Sequence, residues 1–346
     1  MTEDRFRMPG EWEKHSRTIL EWPVRESMIW PDNYEAVKRA YAQVIEAIIN
    51  FEKVSLVVNK NDIDSAKACL GDGVDYMLIE HDDAWARDNI PTFGYDQDNN
   101  LVALNWRFNA WGEKYKPYDL DDLVGEKILK AMNIKEIKPP LVLEGGSIHS
   151  DGEGTILTTK QCLLNKNRNP HMSKEEIEKI LNEYLGAKKI IWLDEGLDGD
   201  ETDGHIDNIA CFAKPGVVLI QTCDDPKDQN YQITKDSLDV LNESVDAKGR
   251  KLQVIEIPQP PMRDYKGKRL TLSYLNFYFV NGGIILPVFG GDARQSDAKA
   301  ALILRQVFPG RKIVPVDGLE LVKEGGNVHC ITQQVPADWK GESKEI

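Results

Sequence analysis

Several side chains in this 346-residue chain stand at spacings that invite chemistry. Cys330 follows a Gly-Gly turn and a histidine, Gly325-Gly326-Asn327-Val328-His329, and precedes the polar run Thr332-Gln333-Gln334. A thiol bordered by polar groups can ionise and act as a nucleophile. Gly204-His205-Ile206-Asp207 sets an imidazole two positions from a carboxylate. In a strand both would project from one face, and the carboxylate would raise the imidazole pKa and hold its orientation, as an acid/base group needs. Asp83-Ala84-Trp85-Ala86-Arg87-Asp88 packs carboxylates, a guanidinium and an indole together behind an apolar run ending at Ile79. Such clusters suit loops carried over a rigid sheet. Each motif alone also fits a bland role: a core histidine, an arginine neutralising an internal acid, or a cysteine serving as a small hydrophobe. On that last ground Cys69, Cys162, Cys211 and Cys223 are set aside.

Taken together the candidates are one thiol, one histidine and several carboxylates, with no phosphate loop, no Gly-x-Gly-x-x-Gly turn and no His-Glu-x-x-His pair. A nucleophile and an acid/base ringed by anions suit a cationic electrophile. A guanidinium fits, being flat, permanently charged and able to present paired N–H donors to carboxylates. Composition points the same way. Lys and Arg total 43 against 57 Asp and Glu, a net charge of −14 that repels nucleic acid and draws cations. Five cysteines, none close in sequence, argue against a disulfide framework and a Cys-x-x-Cys zinc site. The opening residues have no apolar signal region, and no run approaches the length of a membrane span. A reducing, cytoplasmic setting without membrane attachment is expected, and the triplet Asn242-Glu243-Ser244 is then a chance glycosylation match.

The elements that must position these residues alternate along the chain. Val37, Tyr41, Val44, Ile45 and Ile48 recur at helical spacing and lead into a strand at 54–58. Further helices are expected near 62–70, 120–132, 233–243 and 292–307. The box Ser173-Lys174-Glu175-Glu176 opens another that ends at Gly186. Strands are expected at 74–79, 101–106, 190–193, 217–221, 252–257, 275–280, 284–288 and 313–316. Only 258–268 reads as a long loop, and no linker divides the chain. The expectation is an α/β protein with a single domain over 1–336 and a polar tail at 337–346. One repeat stands out. Glu144-Gly-Gly-Ser-Ile-His149 and Glu324-Gly-Gly-Asn-Val-His329 match closely and are followed by Ser150 and Cys330. Two strand-turn units built alike suggest duplication, and the chemistry would lie where the copies differ.

At this point the chain resembles the agmatine deiminases of the guanidino-group-modifying superfamily, within the Porphyromonas-type peptidyl-arginine deiminase family. The resemblance runs through Met8-Pro-Gly-Glu-Trp12, Glu21-Trp-Pro23, Trp85-Ala-Arg-Asp88, Asn109-Ala-Trp-Gly112 and Leu143-Glu-Gly-Gly-Ser-Ile-His149. It continues through Asn165-Lys-Asn-Arg-Asn-Pro170, Asp203-Gly-His-Ile-Asp207 and Gly325-Gly-Asn-Val-His-Cys-Ile-Thr-Gln333. It implies a five-bladed αββαβ pseudo-symmetric propeller with the site in a central channel. Five blades of about 70 residues would use the 346 available.

By the same resemblance, agmatine and water would give N-carbamoylputrescine and ammonia, a step in making putrescine from arginine. Cys330 would attack the guanidinium carbon, and His205 would serve as acid and then base through an S-alkylthiouronium. Asp88 and Asp207 would accept guanidinium N–H bonds, with Glu144 as a further carboxylate. No cofactor or metal is implied, and a homo-oligomer, a dimer, is. For the substrate's ammonium end, Asp200 with Glu201 and the indoles of Trp85 or Trp111 are candidates by charge and cation–π contact; a solvated acidic loop is the alternative for the two acids. The competing functions are deimination of arginine or peptidyl arginine, and polyamine binding without catalysis. Two positions depart from the family's motifs: Gly10, where alanine is frequent, and Glu113, where a second glycine is usual beside the site.

Overall fold

The structure, a computed structural model, describes residues 6–25, 27 and 32–337. Its first sheet holds β1 (His15–Glu21), β2 (Val54–Val58) and β3 (Asp75–Leu78) as parallel neighbours. Three sheets of one pattern follow. They are β4 (Thr92–Tyr95), β5 (Leu101–Leu104) and β6 (Lys135–Ile137); β7 (Ile148–Ser150), β8 (Thr155–Thr159) and β9 (Lys189–Leu193); and β10 (Ala210–Lys214), β11 (Val217–Thr222) and β12 (Gln253–Pro258). A small ribbon, β13 (Asp264–Tyr265) with β14 (Lys268–Arg269), precedes the fifth large sheet, β15 (Tyr278–Val280), β16 (Gly283–Val288) and β17 (Lys312–Asp317). Finally β18 (Gln333–Pro336) pairs antiparallel with β1, so the two ends of the chain complete one sheet.

In every large sheet a strand pair is antiparallel and the next strand returns parallel to its second member. A parallel return needs a long crossover, and each is a helix: Tyr34–Ile49, Asp119–Met132, Lys174–Leu185, Asn230–Glu243 and Arg294–Val307. The first of these buries Val37, Tyr41, Val44, Ile45 and Ile48 completely, the set that the periodicity marks. The third has its capping box, with Ser173 Oγ accepting from the Glu176 amide at 3.2 Å and Glu176 accepting from the Ser173 amide at 2.7 Å. Gly186, at φ 66°, closes it. Five apolar clusters fill the spaces between helices and sheets.

The fold is mixed α/β, as expected, and the sheets stay separate among the described residues. Several strands went unmarked in the sequence. β1 and β18 carry buried polar side chains, Thr18 and Glu21 in one and Gln333 and Gln334 in the other, which breaks the apolar pattern. β4 and β7 are short, at four and three residues, and β8 and β10 follow turns with mixed residue types. The stretch 258–268 is not all loop, because the ribbon begins inside it. The two repeat copies also diverge. The first passes from a 3₁₀ turn, Gly145–Ser147, straight into β7, while the second turns through 327–331 and reaches β18 only at Gln333. The tail expected at 337–346 lies outside the described residues apart from Ala337, whose amide bonds to the Lys14 carbonyl at 2.8 Å.

Candidate active site

Each large sheet sends the segment that enters its first antiparallel strand to one place. These segments are 85–89 before β4, 144–147 before β7, 205–208 before β10, residue 276 before β15 and 327–330 before β18. Their contacts knit them together. The Gly146 amide donates to Asp88 Oδ1 at 3.0 Å, and Trp111 Nε1 donates to Asp88 Oδ2 at 2.9 Å. Cys330 Sγ lies 3.6 Å from Asp207 Oδ2. His205 stands between two acids, Nδ1 at 3.8 Å from Asp88 Oδ1 and Nε2 at 3.8 Å from Glu144 Oε2, with neither nitrogen hydrogen-bonded. Every one of these side chains is buried.

Local folding explains how they are aimed. His205 and Asp207 are not in a strand, as the sequence suggested. Asp203 and Gly204 are left-handed, at φ 66° and 85°, and Ile206–Asn208 forms a 3₁₀ turn with His205 at its entry. That turn, rather than a strand's alternation, turns both groups toward Gly146. A Cβ on Gly146 would stand 2.6 Å from His205 Nδ1, 3.0 Å from Asp207 Oδ2 and 3.0 Å from Asp88 Oδ1. In the second copy, a Cβ on Gly326 would meet Trp85 Cζ3 at 2.3 Å and Cys330 Sγ at 3.1 Å. The second glycine of each copy is thus where backbone touches the groups that could react.

Burial sets the charges. It pushes the Cys330 thiol well up, and the charges of Asp207 and Asp88 push further. Burial alone would lower His205, but Asp88 and Glu144 outweigh it and hold the imidazole well above its ordinary value. Burial also raises Asp88, which shares the space with Asp207 and Glu144. Asp207 and Glu144 end below the usual carboxylate range despite burial: His329 opposes it at Asp207, and Arg168 at Glu144. Arg168 donates from Nε to Glu144 Oε1 at 2.5 Å and from its terminal nitrogens to Asp203 at 2.8 Å and the Thr202 carbonyl at 2.9 Å.

A pocket opens onto this cluster. Cys330, Asp88, Trp85 and Trp111 line it, together with Glu201 and Glu324. His205, Asp207 and Glu144 are packed beside it and do not line it. Asp200 is not brought there either. Its carboxylate accepts from the Thr202 amide at 2.9 Å, the Thr202 hydroxyl at 2.6 Å and Asn208 Nδ2 at 3.1 Å. Asn208 accepts from Asn276, whose Nδ2 reaches Sγ of Cys330 at 3.2 Å and whose Oδ1 accepts the His329 amide at 3.0 Å. Asp200 therefore supports the thiol's turn through two asparagines, and Glu201 is the acid of that pair in the pocket wall. Arg87 takes the structural role open to it, pairing with buried Glu11 at 3.3 Å and donating to Gln334 at 2.8 Å.

Asn276, Arg168 and Glu324 were not assigned roles from the sequence. Asn276 carried a usable signal, as a polar residue inside the apolar run 275–280, where the strand begins only at Tyr278. Glu324 carried another, as the repeat counterpart of Glu144. Among the described residues one set has metal-ligand character, Glu144, Cys162 and His205, with ligand atoms within 4.8 Å of one another. The Arg168 guanidinium already holds Glu144 there. The two departures differ in weight. A Cβ on Gly10 would meet the Trp12 ring at 2.4 Å, so alanine there requires the indole to move. Glu113 adopts the left-handed conformation, φ 61°, that a glycine would take freely.

The profile of the Porphyromonas-type peptidyl-arginine deiminase family matches residues 7–336. A putative agmatine deiminase of Legionella pneumophila (strain Paris) is 45% identical over 97% of this chain and 96% of its own length. An agmatine deiminase of Pseudomonas aeruginosa (strain LESB58) is 45% identical over 97% of each chain. Among solved structures, an agmatine deiminase of Enterococcus faecalis superposes with a TM-score of 0.89 at 36% identity, covering 96% of both chains.

Proposed function

This chain belongs to the Porphyromonas-type peptidyl-arginine deiminase family, and from that premise we propose that it is an agmatine deiminase, converting agmatine and water to N-carbamoylputrescine and ammonia. The observation that carries the proposal is a buried thiol 3.6 Å from one carboxylate, in a pocket shared with a second, beside an imidazole set between acids. In the proposed reaction Asp88 and Asp207 accept N–H bonds from the guanidinium and hold it flat. Burial and these same acids keep the free thiol protonated, far from the roughly 8.5 of an unperturbed cysteine. The bound cation supplies the positive charge that favours the thiolate, so that on binding the thiol gives up its proton to solvent. Cys330 Sγ then bonds to the guanidinium carbon, and His205, held protonated, gives its proton to the departing nitrogen as ammonia. That leaves an S-alkylthiouronium on Cys330. His205, now neutral, takes a proton from water as the water adds to the same carbon, and the C–S bond breaks to return the thiol.

At the other end, the pocket wall favours an ammonium over a carboxylate. Glu201 already serves Tyr115 at 2.6 Å and Lys268 at 2.8 Å. Glu324, raised by burial beside Glu201, is the acid that we assign to the amine in place of Asp200. Trp85 and Trp111 stand edge to face at 6.3 Å and offer indole surface to the chain between. Arginine or peptidyl arginine would bring a carboxylate or amide to this acidic wall. The five repeated sheets are proposed to be the blades of an αββαβ propeller around the site, in a cytoplasmic homodimer that supplies putrescine synthesis. Ammonia release from agmatine, arginine and a peptidyl arginine, measured in parallel, tests the substrate. Cys330→Ser is expected to abolish release from agmatine while keeping the fold by circular dichroism; undiminished turnover would remove the nucleophile assignment.

A further inference from the structure

The histidines of the two repeat copies, His149 and His329, stack at 6.5 Å, and both face the carboxylate of Glu11. Their surroundings have diverged. His149 Nδ1 accepts the Phe212 amide at 3.2 Å, and its Nε2 stands 3.7 Å from Glu11. His329 has an acid on each nitrogen: Asp207 Oδ2 at 2.9 Å from Nδ1, and both Glu11 oxygens at 3.0 Å from Nε2. An imidazole donates from both nitrogens only when protonated. With both acids ionised, this geometry suits His329 as a buried cation between two anions. Glu11 also receives Arg87 at 3.3 Å. Asp207 spends Oδ2 on His329 and the thiol, while its Oδ1 has no hydrogen bond within the protein.

We propose that His329 is a positioning residue for the deiminase reaction, a clamp between Glu11 and Asp207 that fixes where the Asp207 carboxylate points. With Oδ2 held by His329 beside Sγ, Oδ1 is left to take a guanidinium N–H. Glu11, itself anchored by Arg87, keeps the clamp charged. The ionisation tendencies agree with the geometry. Burial and Arg87 oppose a charge on His329, and Glu11 and Asp207 overcome them. The groups facing this clamp are Glu11, Asp207, Arg87, His149 and the Cys330 thiol, with His205, Asp88, Asp200 and Cys211 at longer range. The role rests on the reaction proposed above.

The test compares wild type with His329→Asn, which places a neutral donor near the Nδ1 position, and Glu11→Gln, which keeps shape and removes the charge. Substrate is whichever of agmatine, arginine or peptidyl arginine the wild type turns over, so a wrong substrate assignment shows in the wild type alone. Both variants are expected to lose about 10- to 100-fold in kcat/KM, the span of one charge-assisted hydrogen bond. The acid limb of the kcat/KM profile is expected to move to higher pH, because Asp207 without a cation beside it takes up a proton more readily. Thermal denaturation identifies any variant that fails to fold. Folded variants of both kinds whose acid limb stays at the wild-type pH would overturn the proposal, even if their rates fall.

Discussion

At Gly146 the missing side chain decides more than any side chain nearby. The imidazole of His205 and the carboxylates of Asp88 and Asp207 all come within 3.0 Å of where its Cβ would be, so a side chain there would have to displace groups of the site. Gly146→Ala is expected to lower kcat for ammonia release by about 100-fold or more, the scale of a 1 Å misplacement of reacting groups. Gly310→Ala serves as the control, since nothing lies within 4 Å of a Cβ there. Equal turnover in the two variants would show that the site tolerates displacement. Spacing in the sequence marked Cys330 and the His205–Asp207 pair because nucleophile and acid/base are rare residue types in suggestive company. It did not mark Asn276, which bonds both to Asn208 and to the thiol, because one asparagine within the apolar run 275–280 does not break the strand pattern.

Among the elements, the loop carrying Trp111 concentrates backbone strain. Ala110, Trp111, Gly112 and Glu113 are all left-handed, at φ 49°, 54°, 92° and 61°. Asn109 ties this loop down by accepting from the Gly112 amide at 2.9 Å, and Phe108 and Tyr115 pack edge to face on the indole at 5.2 and 5.8 Å. The result is the Trp111 bond to Asp88. A left-handed non-glycine residue costs roughly 1–2 kcal/mol. The Glu113–Lys116 ion pair is exposed on both sides and offsets little of it. Glu113→Gly is expected to raise unfolding stability by about 1 kcal/mol, after allowing for the extra freedom of glycine in the unfolded chain. Urea denaturation checks this, and a lower midpoint would mean that the side chain contributes more than the backbone strain costs.

Across the whole molecule, a second buried acid group titrates against the fold. Asp83, Glu21 and Asp121 lie close together and buried, and burial raises all three, Asp83 to about 7. An unfolded aspartate titrates near 3.9. Below that pH both states hold the proton and Asp83 costs nothing. As pH rises from about 4 to 7 the unfolded chain ionises first, so stability falls, and the loss levels off above the folded value. Asp83→Asn is expected to gain stability over wild type, by about 2–3 kcal/mol more at pH 8 than at pH 5. A gain of the same size at both pH values, read from urea midpoints, would assign the effect to packing instead.

The amino-acid order by itself determined the five crossover helices, the capping box at Ser173, apolar strands such as β2, β5, β11 and β16 and the kinds of residue available for guanidinium chemistry. Each of these depends on neighbours within a turn or two of backbone. Tertiary structure alone decided which of those residues meet. Asp207 and Cys330 are 123 positions apart, and Glu11 and His329 are 318 apart. Five sheet-entry segments and the stretch before β1 bring them together, and no local pattern encodes that distance. The same holds for charge. Whether a carboxylate is raised, as at Asp88, or lowered, as at Asp207, depends on the water removed and the cations placed beside it. Both are properties of the packed chain, because desolvation and Coulomb forces act through space and take no account of sequence order.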